Sequence, residues 1–135
     1  MTPEELRRNE ANRWLASGAK DLNAAGILVA AEPTASVFHS QQAAEKAAKA
    51  FLAYHNVPFR KIHELQELGA QCSALDPSLT SFVRAAADLT EYAVVFRYPD
   101  APREPDEAEA TKALETARRL YGQVCALLAP GQDNA

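Results

Sequence analysis

The chain has 135 residues, 47% of them hydrophobic and 24% charged, which are the proportions of one soluble globular domain. A net charge of −4 and a pI of about 5.4 exclude the broad basic surface of a non-specific nucleic-acid binder, though not a local cationic pocket. No apolar run is long enough to span a bilayer, and the opening MTPEELRRNEANRW has no apolar signal core, so a cytoplasmic location and no membrane partner are expected.

The first helix is expected from about Pro3 to Ala31. Thr2 can cap it, Pro3 suits its first position, and Glu5 completes a capping box. Leu15, Ala19, Leu22, Gly26 and Val29 recur at helical spacing, with Leu6 and Trp14 flanking. Glu32-Pro33-Thr34 breaks this helix, because a proline pushes its predecessor out of the helical region. The second helix, about Ala35 to His55, is the spine of the chain. VFHSQQAAEKAAKAFLAY contains no Gly or Pro and is dense in residues that lose little rotamer freedom in a helix. At about 100° per residue, His39, Gln42, Lys46 and Lys49 form a polar stripe. Phe38, Gln41, Ala44, Ala48, Phe51 and Leu52 form an Ala-rich seam beside it. Glu45 and Lys49 have the favourable order for an i, i+4 ion pair.

Asn56-Val57-Pro58 ends the spine, and Phe59-Arg60-Lys61-Ile62 links it to a third helix from about His63 to Ala74. Leu65, Leu68 and Cys72 share one side of that helix. Asp76-Pro77 caps and starts a fourth helix, which buries Leu79, Phe82, Val83, Ala86, Leu89 and Ala93 and runs to about Val95. FRYPDAPREP, from Phe96 to Pro105, holds three prolines and reads as a long loop of functional type. A fifth helix, about Asp106 to Leu128, turns Ala110, Leu114, Ala117, Tyr121, Val124 and Leu128 inward. No strand pattern or repeat appears. The expected fold is an all-α up-and-down bundle of four longer helices and one short one, with residues 1–129 as one domain and 130–135 as a flexible tail.

The chemistry-bearing residues are few. Cys72 and Cys125 lie in different helices without metal-type spacing and read as reduced, buried thiols. His39, His55 and His63 lack the Glu-x-x-His pairing of di-iron bundles, so no metal or other cofactor is expected. GxxxxGK[ST] and GxSxG are absent, so an anion site would be built from side chains. The lysines read either as a solvated face or as part of such a site. Arg97 can clamp a phosphate with Tyr98 as a stacking face, or bond helix-end carbonyls. His63 either caps its helix or faces the mouth of the bundle. The aromatic set Trp14, Phe38, Phe51, Phe59, Phe82 and Phe96 either fills the core or leaves an interface.

FHSQQAAEKAAKAFL, then HELQEL from His63 and LTEYAVVFRYP from Leu89, resembles the HEPN family (higher eukaryotes and prokaryotes nucleotide-binding domain) from about Trp14 to the last helix. The resemblance implies a homodimer that binds a nucleotide or similar anion, or another protein. It also implies pairing with a separate minimal nucleotidyltransferase protein, as toxin and antitoxin in some members. HEPN relatives that cut RNA share an Arg followed after four to six residues by a His. No Arg stands so before any His here; Arg60 precedes His63 by three. A non-catalytic module is therefore expected, the alternative being a degenerate, metal-independent ribonuclease. The expected anion site comprises His39, Gln42, Lys46, Lys49, Arg97 and Tyr98, with Arg60, Lys61 and His63 as a second choice. The third helix is short enough to act as a lateral cap, which is the expected arrangement and would bring helix four back toward His39. A full third stroke would instead leave Arg97 near His63.

Overall fold

The structure, a computed structural model, describes residues 1–59, 64–95 and 103–130, without the side chains of 90–95. Five α-helices follow in order: α1 Pro3–Leu28, α2 Pro33–Tyr54, α3 Leu65–Leu75, α4 Thr80–Val95 and α5 Glu107–Leu128. A 3₁₀ turn, Pro77–Leu79, leads into α4. This is the expected helical bundle with one short member. Among the described residues no helix is long and apolar enough to cross a membrane.

The caps follow from local chemistry. The Thr2 hydroxyl accepts from the Glu5 N–H and the Glu5 carboxylate accepts from the Thr2 N–H, closing the expected box. Asp106 and Glu109 build the same box for α5, one the sequence reading did not identify. Pro33 both breaks and begins: Glu32 leaves the helical region at φ −141°, and Pro33 opens α2 two residues earlier than expected. At the far end of α2, Asn56 takes φ 56°. Its N–H donates to Ala53 O and the Val57 N–H donates to Leu52 O, a Schellman closure that turns the chain sharply back. Asparagine tolerates this left-handed conformation better than most residues.

α2 is the buried centre, and 14 of its 22 residues are inaccessible. Phe51 and Leu52 join Leu65, Leu68, Leu79 and Leu120 as its largest fully buried apolar neighbours, each contributing about 1.5–3 kcal/mol of transfer free energy. Phe38 departs from the expected seam: it is 41% exposed. α1 departs further. Its buried residues are Ala11, Gly18, Asp21 and Ala25, not the line through Leu15, Ala19, Leu22, Gly26 and Val29. The reason is close approach. Small residues seven apart let the α1 backbone settle onto its neighbours. A methyl on Gly18 would lie 3.3 Å from the Tyr121 ring and 3.4 Å from Lys46 Cβ. Leu15 and Leu22 then pack at the flanks.

Polar ties fix the directions. Arg7 Nε donates to Tyr54 O, Arg8 donates to Leu128 O, and the Ser36 hydroxyl donates to Ala25 O. α1 therefore runs antiparallel to both α2 and α5. α3 lies across the middle of α2, where Cys72 Sγ donates to Ala48 O. The second half of α4, at Asp88 and Leu89, lies beside the first half of α5, at Glu109 and Lys112. α4 thus ends, and α5 begins, at the end of the bundle where α2 starts.

Candidate functional site

The polar stripe of α2 divides in two. Toward its start, His39 and Lys46 both reach across to α1. His39 Nδ1 lies 2.9 Å from one oxygen of Asp21, and Lys46 Nζ donates to the other at 2.6 Å. Asp21 is only 9% exposed. A carboxylate this buried needs partners, and two donors from one face of α2 supply them. The same pairing engages the two groups expected to hold an anion. Gln42 stands half-buried in the same stripe.

Lys49 behaves differently. It is 6% exposed, and its ammonium stands 5.1 Å from the centroid of the Trp14 ring. The expected Glu45–Lys49 ion pair is replaced: Glu45 accepts a hydrogen bond from Gln41 Nε2, while Lys49 turns to the indole. Burial pulls the Lys49 pKa below its ordinary 10.5; the Glu45 charge opposes this and the Lys46 charge adds to it. The ammonium is thus desolvated, and what it faces is a π surface and an opening.

That opening is a cavity of about 800 Å³ at the α2 C-terminus, lined by Trp14, Lys49, Asn56 and Phe59, with Glu10 among its lining groups. The Schellman turn builds it. By reversing the chain at Asn56, the turn brings Phe59 back against Trp14, with ring centroids 5.9 Å apart and planes at 66°. The edge-on contact leaves an aromatic corner with a cation beside it. Such a corner can take a flat ring and hold an attached anion.

Of the expected site, then, the structure places His39 and Lys46 together on Asp21, and Lys49 apart on Trp14. Arg97 and Tyr98, and the second-choice Arg60, Lys61 and His63, lie outside the described residues. Sequence reasoning passed over Asp21, Glu10 and the pairing of Trp14 with Lys49. One signal was available: Trp14 and Asp21 are seven apart on the same line of α1, interleaved with the small residues Ala11, Gly18 and Ala25.

Other polar and aromatic contacts join the helix ends. His55 packs its ring 4.5 Å from that of Phe51. Arg8 lies 5.0 Å from the centroid of the Tyr54 ring and donates to its hydroxyl, pinning the ends of α2 and α5 to the start of α1. The two thiols are free. Cys72 is buried as expected, whereas Cys125 is only half-buried beside Tyr121, because its position on α5 flanks the inward line.

A family model described as HEPN domain matches residues 11–127, most of the chain. The chain is a HEPN domain. No curated protein and no solved structure matches it. In this HEPN domain the match begins at Ala11, the first buried small residue of α1, and ends just before Leu128, so it covers α2, α3 and α4 whole, most of α1 and α5, and both halves of the polar stripe.

Proposed function

We propose that this HEPN domain is a non-catalytic module that binds a nucleotide, or a comparable aromatic anion, in the Trp14–Lys49–Phe59 cavity. The observation that carries this reading is the placement of Lys49. Its ammonium is buried, rests on an indole, and has no carboxylate within ion-pairing distance among the described residues. Binding an anion would restore the stabilisation that burial removed. A cavity of about 800 Å³ lies within the usual range of small-molecule sites. The absence of an Arg four to six residues before a His supports the non-catalytic part. The HEPN resemblance supports a homodimer acting with a separate minimal nucleotidyltransferase, in a toxin–antitoxin type of pairing in the cytoplasm.

Trp14 is the sole tryptophan, so its fluorescence reports on the cavity directly. Titrating nucleoside mono- and triphosphates at low ionic strength should give a saturable change in wild type. Lys49→Met should abolish it. Lys46→Ala should largely preserve it, since Lys46 is held by Asp21. A wild-type protein that binds none of them, or binding indifferent to Lys49→Met, would remove the pocket.

A second reading, protein interaction, has its own observation. Phe38 is 41% exposed on a helix otherwise mostly buried, adjoining the His39 end of the stripe. On that reading Phe38→Ser weakens self-association or binding to a co-expressed partner, measured by light scattering, and leaves the Trp14 titration unchanged.

A further inference from the structure

The lysines among the described residues differ in their surroundings. Lys20 and Lys112 are exposed, and Lys46 is engaged by Asp21. Lys49 is 6% exposed, yet it lines the cavity of about 800 Å³. Its nitrogen stands 5.1 Å from the centroid of the Trp14 ring, and the Phe59 centroid stands 5.9 Å from the same point. A flat ring lying in the Trp14–Phe59 corner therefore shares one indole with the Lys49 amine, and a short substituent on that ring can reach the nitrogen. Burial lowers the Lys49 pKa, so more of the neutral, nucleophilic amine is present at a given pH. A lysine desolvated in an apolar pocket is a recurring arrangement for attack on a carbonyl. Holding an anion uses only the protonated form and leaves this property unused.

We propose that Lys49 forms an imine with an aromatic aldehyde seated in the Trp14–Phe59 corner. The neutral Nζ attacks the aldehyde carbon, a C–N bond forms, and the π pair of the carbonyl moves to oxygen, which gains a proton as the nitrogen loses one. The resulting carbinolamine expels its hydroxyl as water while the nitrogen gives up its second proton and the C=N bond forms. Amine and aldehyde thus give imine and water, with no change of oxidation state. The inference rests on the cavity reading above and adds a covalent step and the functional group of the ligand. Ring stacking in the corner should favour Lys49 over an exposed lysine by roughly fivefold.

The test treats the folded wild-type protein with limiting benzaldehyde and cyanoborohydride, which reduces the imine to a stable amine, and maps the labelled lysines by peptide mass spectrometry. Propanal, which has no ring, is run in parallel. Benzaldehyde carries no charge, so its seating does not depend on anion binding. The expected result is an excess of label on Lys49 over Lys20 and Lys112 that is roughly fivefold larger with benzaldehyde than with propanal. Benzaldehyde labelling of Lys49 no greater than that of Lys20 and Lys112 overturns the proposal. An equal excess with the two aldehydes overturns the seating in the aromatic corner, and the proposal with it. Saturable nucleotide binding without a Lys49 excess removes this inference and leaves the nucleotide reading standing. The expected excess without nucleotide binding supports this inference and removes the nucleotide.

Discussion

Replacing Asp21 by alanine tests whether the His39–Asp21–Lys46 cluster holds α1 to α2. The change removes the acceptor of the 2.6 Å bond from Lys46 and of the 2.9 Å contact from His39. The side chain of Asp21 is 12% exposed, that of Lys46 24% and that of His39 32%. Breaking a fully buried pair costs about 3–5 kcal/mol, and an exposed one contributes about 0–1 kcal/mol. A cluster between these limits should lose about 2 kcal/mol. At about 3–4 °C per kcal/mol for a domain of this size, the melting temperature should fall by roughly 7 °C. The assay is urea and thermal unfolding followed by far-ultraviolet circular dichroism, on Asp21→Ala, Lys46→Ala and the double variant. Because either single variant already breaks the Lys46–Asp21 bond, the two losses should not add, and a coupling of about 1 kcal/mol or more is expected. Additivity to within about 0.3 kcal/mol would show that the pair contributes nothing jointly and would refute the reasoning.

Two glycines should respond oppositely to alanine. At Gly69 the new methyl would meet Val83 Cβ at 2.9 Å, so Gly69→Ala should cost about 1–3 kcal/mol, and Val83→Ala, which keeps that Cβ, should not restore the loss. At Gly122, exposed within α5 with nothing inside 4 Å, Gly122→Ala should stabilise by about 0.5–1 kcal/mol. Burial pushes the Cys72 thiol from 9.0 up to about 12. Its neutral form therefore supports the fold fully below pH 9.0, and about 4 kcal/mol is lost as pH rises toward 12. Lys49, whose pKa is lowered, acts with the opposite sign just below 10.5, where the unfolded chain holds the extra proton. Chemical denaturation at stepped alkaline pH should show the net decline in wild type and a flatter profile in Cys72→Ala. Purified protein incubated with single-stranded RNA and tRNA should leave both intact; cleavage lost in His39→Ala would place a base on the Asp21 cluster instead.

The helices and their order were legible because each signal is local. A capping box at Thr2, a proline at Pro33 and at Pro77, and the Ala-rich run of α2 act within a turn or two of themselves. The family motifs were legible for the same reason. What failed locally is informative. On α1 the large residues Leu15 and Leu22 dominate any hydrophobic count, yet the helix buries Ala11, Gly18 and Ala25. Periodicity weighs side-chain size, whereas two helices in close contact are limited by backbone approach, which small residues permit. α2 has the converse problem. Ala on nearly every face reads as propensity, and only the presence of neighbours on all sides makes it a core helix.

The candidate site was half legible for a related reason. Helical spacing alone put His39, Lys46 and Lys49 on one stripe. It could not say that a single acid from α1 would take the first two, or that an indole from α1 would face the third. Those pairings depend on the register in which α1 lies against α2, and that register follows the small residues of α1. The cavity depends on one further tertiary event, the left-handed turn at Asn56 that carries Phe59 back to Trp14. Composition, caps and periodicity determine which helices form, because those interactions close within a few residues of chain. Which charges are neutralised and which one is left facing a cavity is settled only when helices distant in sequence come within 3 Å of each other, where hydrogen bonds and desolvation take effect.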